Sequence, residues 1–213
     1  MKKTLIKKIN NVLYSILKKV FDIIVGIIGI IILIPVSIVV KVFTLLNRDF
    51  NSIFFVQIRI GKNGKKFKLY KFRTMVPNAE EELQKLLKIK KYKTEWDKNQ
   101  KFKNDPRITK IGKILRKTSI DELPQFINIL KGDMSLIGPR PLIEGELLKH
   151  KGNPSIYQSI KPGITGWWVC NGREEMTYKK RLNLEYYYVE NRGILLDIKC
   201  IFKTIKIILK GNV

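Results

Sequence analysis

The sequence predicts an α+β protein: an apolar N-terminal segment that enters a membrane, followed by one small, strongly basic domain. Three observations carry this. The run from Val20 to Val40 consists almost wholly of Ile, Val, Leu and Gly, with Asp22 as its one charge. Lysine and arginine total 42 against 18 acids, a formal charge of +24 at pH 7. The remainder of the 213 residues mixes strand-like runs, helical periodicity and Gly/Pro-rich turns, and a chain of this length buries one sizeable core.

Residues 1–18 form a basic amphipathic stretch. Leu5, Ile6, Ile9, Val12, Leu13, Ile16 and Leu17 recur with helical period, while Lys2, Lys3, Lys7 and Lys8 lie off that stripe. Residues 19–48 hold the membrane segment, whose length matches the ~20 residues needed to cross ~30 Å of hydrocarbon. It is too long for a signal peptide, and no small-x-small cleavage site follows it. Pro35 sits inside the run, where it removes a helical hydrogen bond and crowds the preceding turn, so a break is expected there. Both flanks are positive, with Lys18 and Lys19 before the segment and Lys41, Arg48, Arg59 and Lys62 after it, so loop charge selects no orientation. Two readings stand level on these residues: a bitopic helix, and a re-entrant helical hairpin that returns both ends to the cytoplasm.

Residues 49–213 make the basic domain, which ends in an amphipathic helix. Ile53 to Ile60 and Lys66 to Phe72 read as strands around the turn Gly61-Lys62-Asn63-Gly64. Glu80 to Leu87 reads as a helix, and the charged stretch Lys88 to Asn104 as a surface excursion with little apolar periodicity. Arg107 to Lys117 and Leu123 to Leu130 are helix candidates. From Gly132 to Gly172, glycines and prolines predict a loop-dominated region of the kind that builds sites. The last helix sets Lys199, Lys203, Lys206 and Lys210 on one arc against Ile194, Ile198, Ile201, Phe202, Ile205, Ile208 and Leu209, a pattern suited to an anionic lipid surface or to an ordinary core-packed helix.

Composition narrows the chemistry. Cys170 and Cys200 lack metal-ligand spacing and read as ordinary buried thiols in a reducing compartment. His150 is the single histidine, which removes Ser/His and Cys/His triads unless it serves itself. Any catalytic chemistry therefore falls to carboxylates. Asp121 and Glu122 are adjacent near a helix start, with Arg116 about a turn earlier, a set that can hold a divalent cation and a phosphate together. Alone, Ser119 with Glu122 three residues on is more simply a capping box. The neighbours shift the balance: Lys71 and Arg73 on a strand end, Arg140 held between two prolines, and a tight turn from Lys161 to Trp167.

In that combination the chain resembles the bacterial sugar transferases, monotopic phosphoglycosyl transferases acting on a polyprenyl phosphate carrier. The resemblance runs from about Lys18 to Asn191 and rests on KFRTM, TSIDELPQ, LKGDMSLIGPRP, KPGITGW and NGR. It implies the re-entrant hairpin, broken at Pro35, and a location at the cytoplasmic membrane with the catalytic domain on its cytoplasmic face. It further implies that Asp121 attacks the β-phosphate of a UDP-sugar, releasing UMP and leaving a phosphosugar-aspartyl intermediate that polyprenyl phosphate then takes up. Mg²⁺ is expected at Asp121 and Glu122. Lys71, Arg73, Arg116 and Arg140 are expected to bind phosphate or order the site, and Gly163, Thr165 and Trp167 to form part of the nucleotide-facing wall. UDP-sugar, polyprenyl phosphate and membrane lipids are the expected partners, with a homodimer as a further candidate and nucleic acid excluded.

Three positions depart from the family pattern. Ile34 stands where serine often precedes the hairpin proline, Lys161 where arginine is usual, and Glu185 where aspartate is usual. Larger members carry further N-terminal helices and another domain, so the chain reads as the minimal catalytic form. Two other classes compete: a membrane-attached nucleic-acid binder, whose aromatics would alternate with lysines on a strand rather than sit in Gly/Pro turns, and an inert scaffold, which has no need of the acid pair.

Overall fold

A computed structural model describes residues 2–99, 101–172 and 176–209. Helix α1 (Lys2–Leu46) dominates the N-terminal part. Pro35 lies within it, and the expected break does not interrupt the helix: one missing N–H is tolerated where Leu33 and Val40 anchor the flanking turns in a core with Ile53, Phe72 and Leu115. The side chains of Leu5, Ile6, Ile9, Lys2, Lys3, Lys7 and Lys8 lie outside what the structure describes.

From Asp22 onward α1 has two faces. Asp22, Gly26, Gly29, Leu33, Val40 and Thr44 are buried along one side, at spacings of three, four and seven that keep them on one helical stripe. That stripe packs on the domain through two glycines. A Cβ at Gly29 would fall 2.1 Å from the Phe126 ring, and one at Gly26 2.6 Å from Leu130. The lone acid of the apolar run is a tie: Asp22 Oδ1 accepts from Ser135 Oγ at 3.0 Å and from the Leu136 amide at 2.9 Å. Lys18 bridges to Asp197 at 2.7 Å, whose other oxygen accepts from Tyr188 Oη at 2.6 Å. The opposite face, including Ile24, Ile31, Ile38 and Leu46, is exposed.

Strands β1 (Phe54–Ile60) and β2 (Lys66–Phe72) form the expected antiparallel hairpin, with Phe54 opposite Phe72 and Ile60 opposite Lys66. Asn63 and Gly64 take positive φ values of 56° and 76° to close it. Helix α2 (Ala79–Leu87) follows as predicted. The next stretch is not a bare excursion, because α3 (Lys90–Asn99) forms there and its Tyr92 and Trp96 close on Phe102 with ring centroids 5.3 and 5.2 Å apart. Lysines on nearly every turn hide that small aromatic face from a periodicity reading.

Helices α4 (Lys110–Lys117) and α5 (Gln125–Leu130) flank a single 3-10 turn, Ile120–Glu122. The loop-dominated region contains more order than expected. Strands β3 (Ser135–Ile137) and β4 (Gly163–Thr165) pair in parallel around the short helices α6 (Glu146–Lys149) and α7 (Pro154–Tyr157). Strands this short show no alternation in sequence. Their close approach depends on glycine, since a Cβ on Gly163 would sit 2.1 Å from the Gly138 nitrogen. Helices α8 (Tyr178–Asn191), which shows no clear apolar period in sequence, and α9 (Ile194–Leu209) complete the fold. On α9, Leu195 and Phe202 are 76% and 70% exposed, so much of its apolar side is not core-packed. Lys210 lies outside the described residues.

Candidate active site

The site is built where α4 gives way to α5. Thr109 caps α4 by accepting from the Gly112 amide at 3.0 Å, and the helix carries Arg116 in its last turn. Ser119 then adopts φ +55°, a left-handed conformation that costs a non-glycine residue on the order of 1 kcal/mol. The capping box does not form: Ser119 makes no side-chain cap bond, and the Glu122 amide bonds the Ser119 carbonyl at 3.1 Å. The serine's backbone turns the chain, and Asp121 and Glu122 fall on the tight turn that follows, both partly exposed.

Alternation along β2 places Lys71 on the same face as the buried Phe67 and Leu69. Its Nζ lies 3.1 Å from Glu122 Oε1. The register beside it is fixed by fully buried Asn128 of α5, which donates to the Lys68 carbonyl at 2.6 Å and accepts from the Tyr70 amide at 3.1 Å.

Two cavities meet at this pair, and Lys71 and Glu122 line both. The smaller, about 530 Å³, also holds Asp121, Arg73, Thr74, Arg107 and Arg116. The larger, about 730 Å³, adds Arg59, Arg140, Gly163, Thr165, Trp168 and Arg181. The structure thus gathers eight of the sequence-predicted residues around one junction: Asp121, Glu122, Lys71, Arg73, Arg116, Arg140, Gly163 and Thr165.

Their bonding differs. Arg116 Nε donates to Thr74 Oγ1 at 2.9 Å. Arg73 is held by Asp49 at 2.7 Å and by the Ser52 and Met75 carbonyls, so it also joins the end of α1 to β2. The Arg140 amide donates to Glu185 Oε1 at 3.1 Å, and its carbonyl accepts from Tyr157 Oη at 3.0 Å. Glu185 is fully buried, and burial pushes its carboxyl up to about 8 against the opposing pull of the Arg140 amide.

Trp167 lines neither cavity. It stacks on Tyr187 at 5.9 Å, under Lys203, while its neighbour Trp168 faces the larger cavity. Arg59, Arg181 and Trp168 were not singled out by sequence. Arg59 alternates on β1 like a surface residue, Arg181 sits on a helix without a clear apolar stripe, and only the phase of the turn after Gly166 separates the two tryptophans. Arg173 of the NGR motif lies outside the described residues, and His150 stacks on Tyr178 at 3.5 Å without entering the lining of either cavity. Cys200 is buried, and Cys170 donates to its carbonyl at 3.3 Å.

The donors suit a hard cation only in one form. No group of three or more His, Cys, Asp or Glu side chains gathers among the described residues, so they build no all-protein cage. Two carboxylates adjacent in sequence and lining one basic cavity do fit Mg²⁺, which is commonly held by one or two carboxylates with substrate phosphate and water.

The sequence model of the bacterial sugar transferases matches residues 13–211. The UDP-galactose-lipid carrier transferase of Erwinia amylovora is 44% identical over 197 residues, 92% of this chain and 41% of that protein. The undecaprenyl-phosphate galactose phosphotransferase of Salmonella typhimurium is 43% identical over the same shares of both chains. The exopolysaccharide production protein ExoY of Sinorhizobium fredii is 40% identical over 189 residues, covering 88% of this chain and 83% of that protein. The chain thus spans 41% of the length of the first two relatives.

Proposed function

The chain belongs to the bacterial sugar transferase family, and on that premise we propose that it transfers a sugar 1-phosphate from a UDP-sugar to undecaprenyl phosphate, releasing UMP and initiating a surface glycan. The observation that carries this reading is the Asp121–Glu122 pair at the junction of two basic cavities, with Lys71 on Glu122 at 3.1 Å and Arg116 lining the same cavity as Asp121.

An oxygen of the Asp121 carboxylate attacks the β-phosphorus of the donor. The bond from that phosphorus to the bridging oxygen breaks, and UMP departs with the oxygen. An oxygen of the lipid phosphate then attacks the same phosphorus, restores the Asp121 carboxylate and leaves a polyprenyl diphosphate sugar. Lys71, Arg116 and Arg140 offset the charge that accumulates as two anions approach, a role worth most in a partly dry cavity. Glu122, oriented by Lys71, holds or moves a proton beside the nucleophile. Mg²⁺ held by Asp121 and Glu122 would supply further charge compensation on the diphosphate.

Membrane attachment through α1 is part of the same proposal. From Asp22 to Thr44 the helix packs on one side against a basic domain, so a straight crossing would draw the exposed lysines of α4, Lys110, Lys113 and Lys117, toward hydrocarbon. A shallow, re-entrant course keeps them in water on the cytoplasmic face. It leaves Ile24, Ile31 and Ile38 for lipid.

The test mixes detergent-solubilised protein, Mg²⁺, undecaprenyl phosphate and a panel of UDP-sugars and follows UMP. Release is expected with at least one donor and is expected to vanish in Asp121→Asn. Full activity of that variant overturns the nucleophile assignment.

A further inference from the structure

The larger cavity gathers three arginines, and two of them, Arg59 and Arg140, form no ion pair with a carboxylate among the described residues. Arg59, Arg140 and Arg181 all line it, and the Nε of each is buried without a hydrogen-bond partner. The terminal nitrogens of Arg59 meet only neutral groups, the Pro141 carbonyl at 3.2 Å and Gln57 Oε1 at 2.6 Å. Burial and the nearby Arg140 push the Arg59 guanidinium down to about 10. Two acids lie close, and together they pair only one of the three guanidiniums. Glu146 takes Arg181 at 3.1 Å, and Glu185 bonds the backbone amide of Arg140 rather than its guanidinium.

Three guanidiniums lining one cavity with a single carboxylate paired among them are unfavourable unless an anion completes them. Guanidinium forks at fixed angles favour a planar or multi-oxygen anion over a simple ion. The Arg181 guanidinium lies 4.0 Å over the Tyr178 ring and 5.8 Å from that of Trp168, so its position is set by stacking on one side of the cavity. Trp168 itself lines the cavity and offers a flat face suited to a nucleobase.

We propose that this cavity receives the nucleotide end of the donor, with Arg59, Arg140 and Arg181 on its phosphates and Trp168 against its base. The assignment rests on the phosphoglycosyl transfer reading above, and it adds Arg59, Arg181 and Trp168 to the residues that recognise the donor. A lipid phosphate presents the same terminal oxygens but no base, and it differs in charge and in its apolar tail, so the two sources separate by experiment.

The first arm uses the unaltered, detergent-solubilised chain. Arginine modification by phenylglyoxal, mapped by mass spectrometry, is followed with UMP or with a short-chain polyprenyl phosphate. UMP is expected to slow modification of Arg140 and Arg181 about tenfold, the equivalent of one charge-assisted contact, and the lipid phosphate to slow it far less. The second arm compares Arg59→Lys and Arg181→Gln, each checked for unchanged thermal unfolding. Both are expected to raise KM for the UDP-sugar about tenfold and to leave KM for the lipid phosphate near its original value. Equal protection by the two ligands, no protection by UMP, or an equal rise in both KM values overturns the assignment. Failure of the transfer reading would look different: no UMP release with any donor, whatever UMP protects.

Discussion

Ser119 shows how much of the site depends on one backbone angle. Its spacing to Glu122 suggested a cap, yet at φ +55° it makes no cap bond and instead turns the chain so that Asp121 and Glu122 follow on a tight turn. The acid pair and Arg116 were legible in sequence because they lie within a few residues of one another. Arg59 and Arg181 were not, because they reach the same cavity from β1 and α8, far apart in the chain. In sequence Glu185 is only a departure from the family's aspartate, and its full burial beneath Arg140 is a tertiary fact. That burial makes a prediction about pH. The carboxyl is raised from 4.5 to about 8 in the folded protein. Between those values the folded protein keeps a proton that the unfolded chain has lost, so the stability associated with the neutral acid is full below the lower value and is lost as pH climbs through the upper one. Glu185→Gln keeps a neutral group in place. Its melting temperature relative to the parent should therefore rise steadily as pH increases from about 5 to about 8. A gap independent of pH would contradict a neutral buried Glu185.

At the scale of elements, α1 is a docking helix as much as a membrane segment. Length and apolarity were evident from sequence, whereas the break expected at Pro35 does not form, and the stripe from Asp22 to Thr44 shows where the helix meets its own domain. A proline removes a single donor, and the packing of Leu33 and Val40 carries the helix past it. The missed elements share a cause: α3 is submerged in lysines, and β3 and β4 span three residues each, too few to display a period. Asp22 tests the docking directly. Asp22→Ala strands the Ser135 hydroxyl and the Leu136 amide, which costs about 1–3 kcal/mol when buried donors lose their acceptor. A drop in thermal stability of that size is expected in detergent, with Asp22→Asn recovering part of it. An unchanged melting curve would mean that α1 is not held to β3 by this contact.

Across the whole molecule, the charge of +24 divides into two populations. A few cations converge on the junction of the two cavities, and most of the remaining lysines are exposed, on α4 and α9 among other elements. The apolar sides of α1 and α9 are exposed, as the proposed attachment to lipid requires, and the acid pair is reached from cavities on the basic domain. This arrangement makes sense of a reaction whose donor is water-soluble and whose acceptor is a lipid. Its central claim is that Asp121 takes the sugar phosphate covalently before the lipid does. Intact-protein mass spectrometry after incubation with Mg²⁺ and the active UDP-sugar, without lipid acceptor, measures that step alone. The expected result is a mass increase of one sugar phosphate, absent in Asp121→Asn and removed on adding undecaprenyl phosphate. UMP release only when the lipid is present, with no adduct at any time, would contradict a covalent aspartyl route and point to direct transfer.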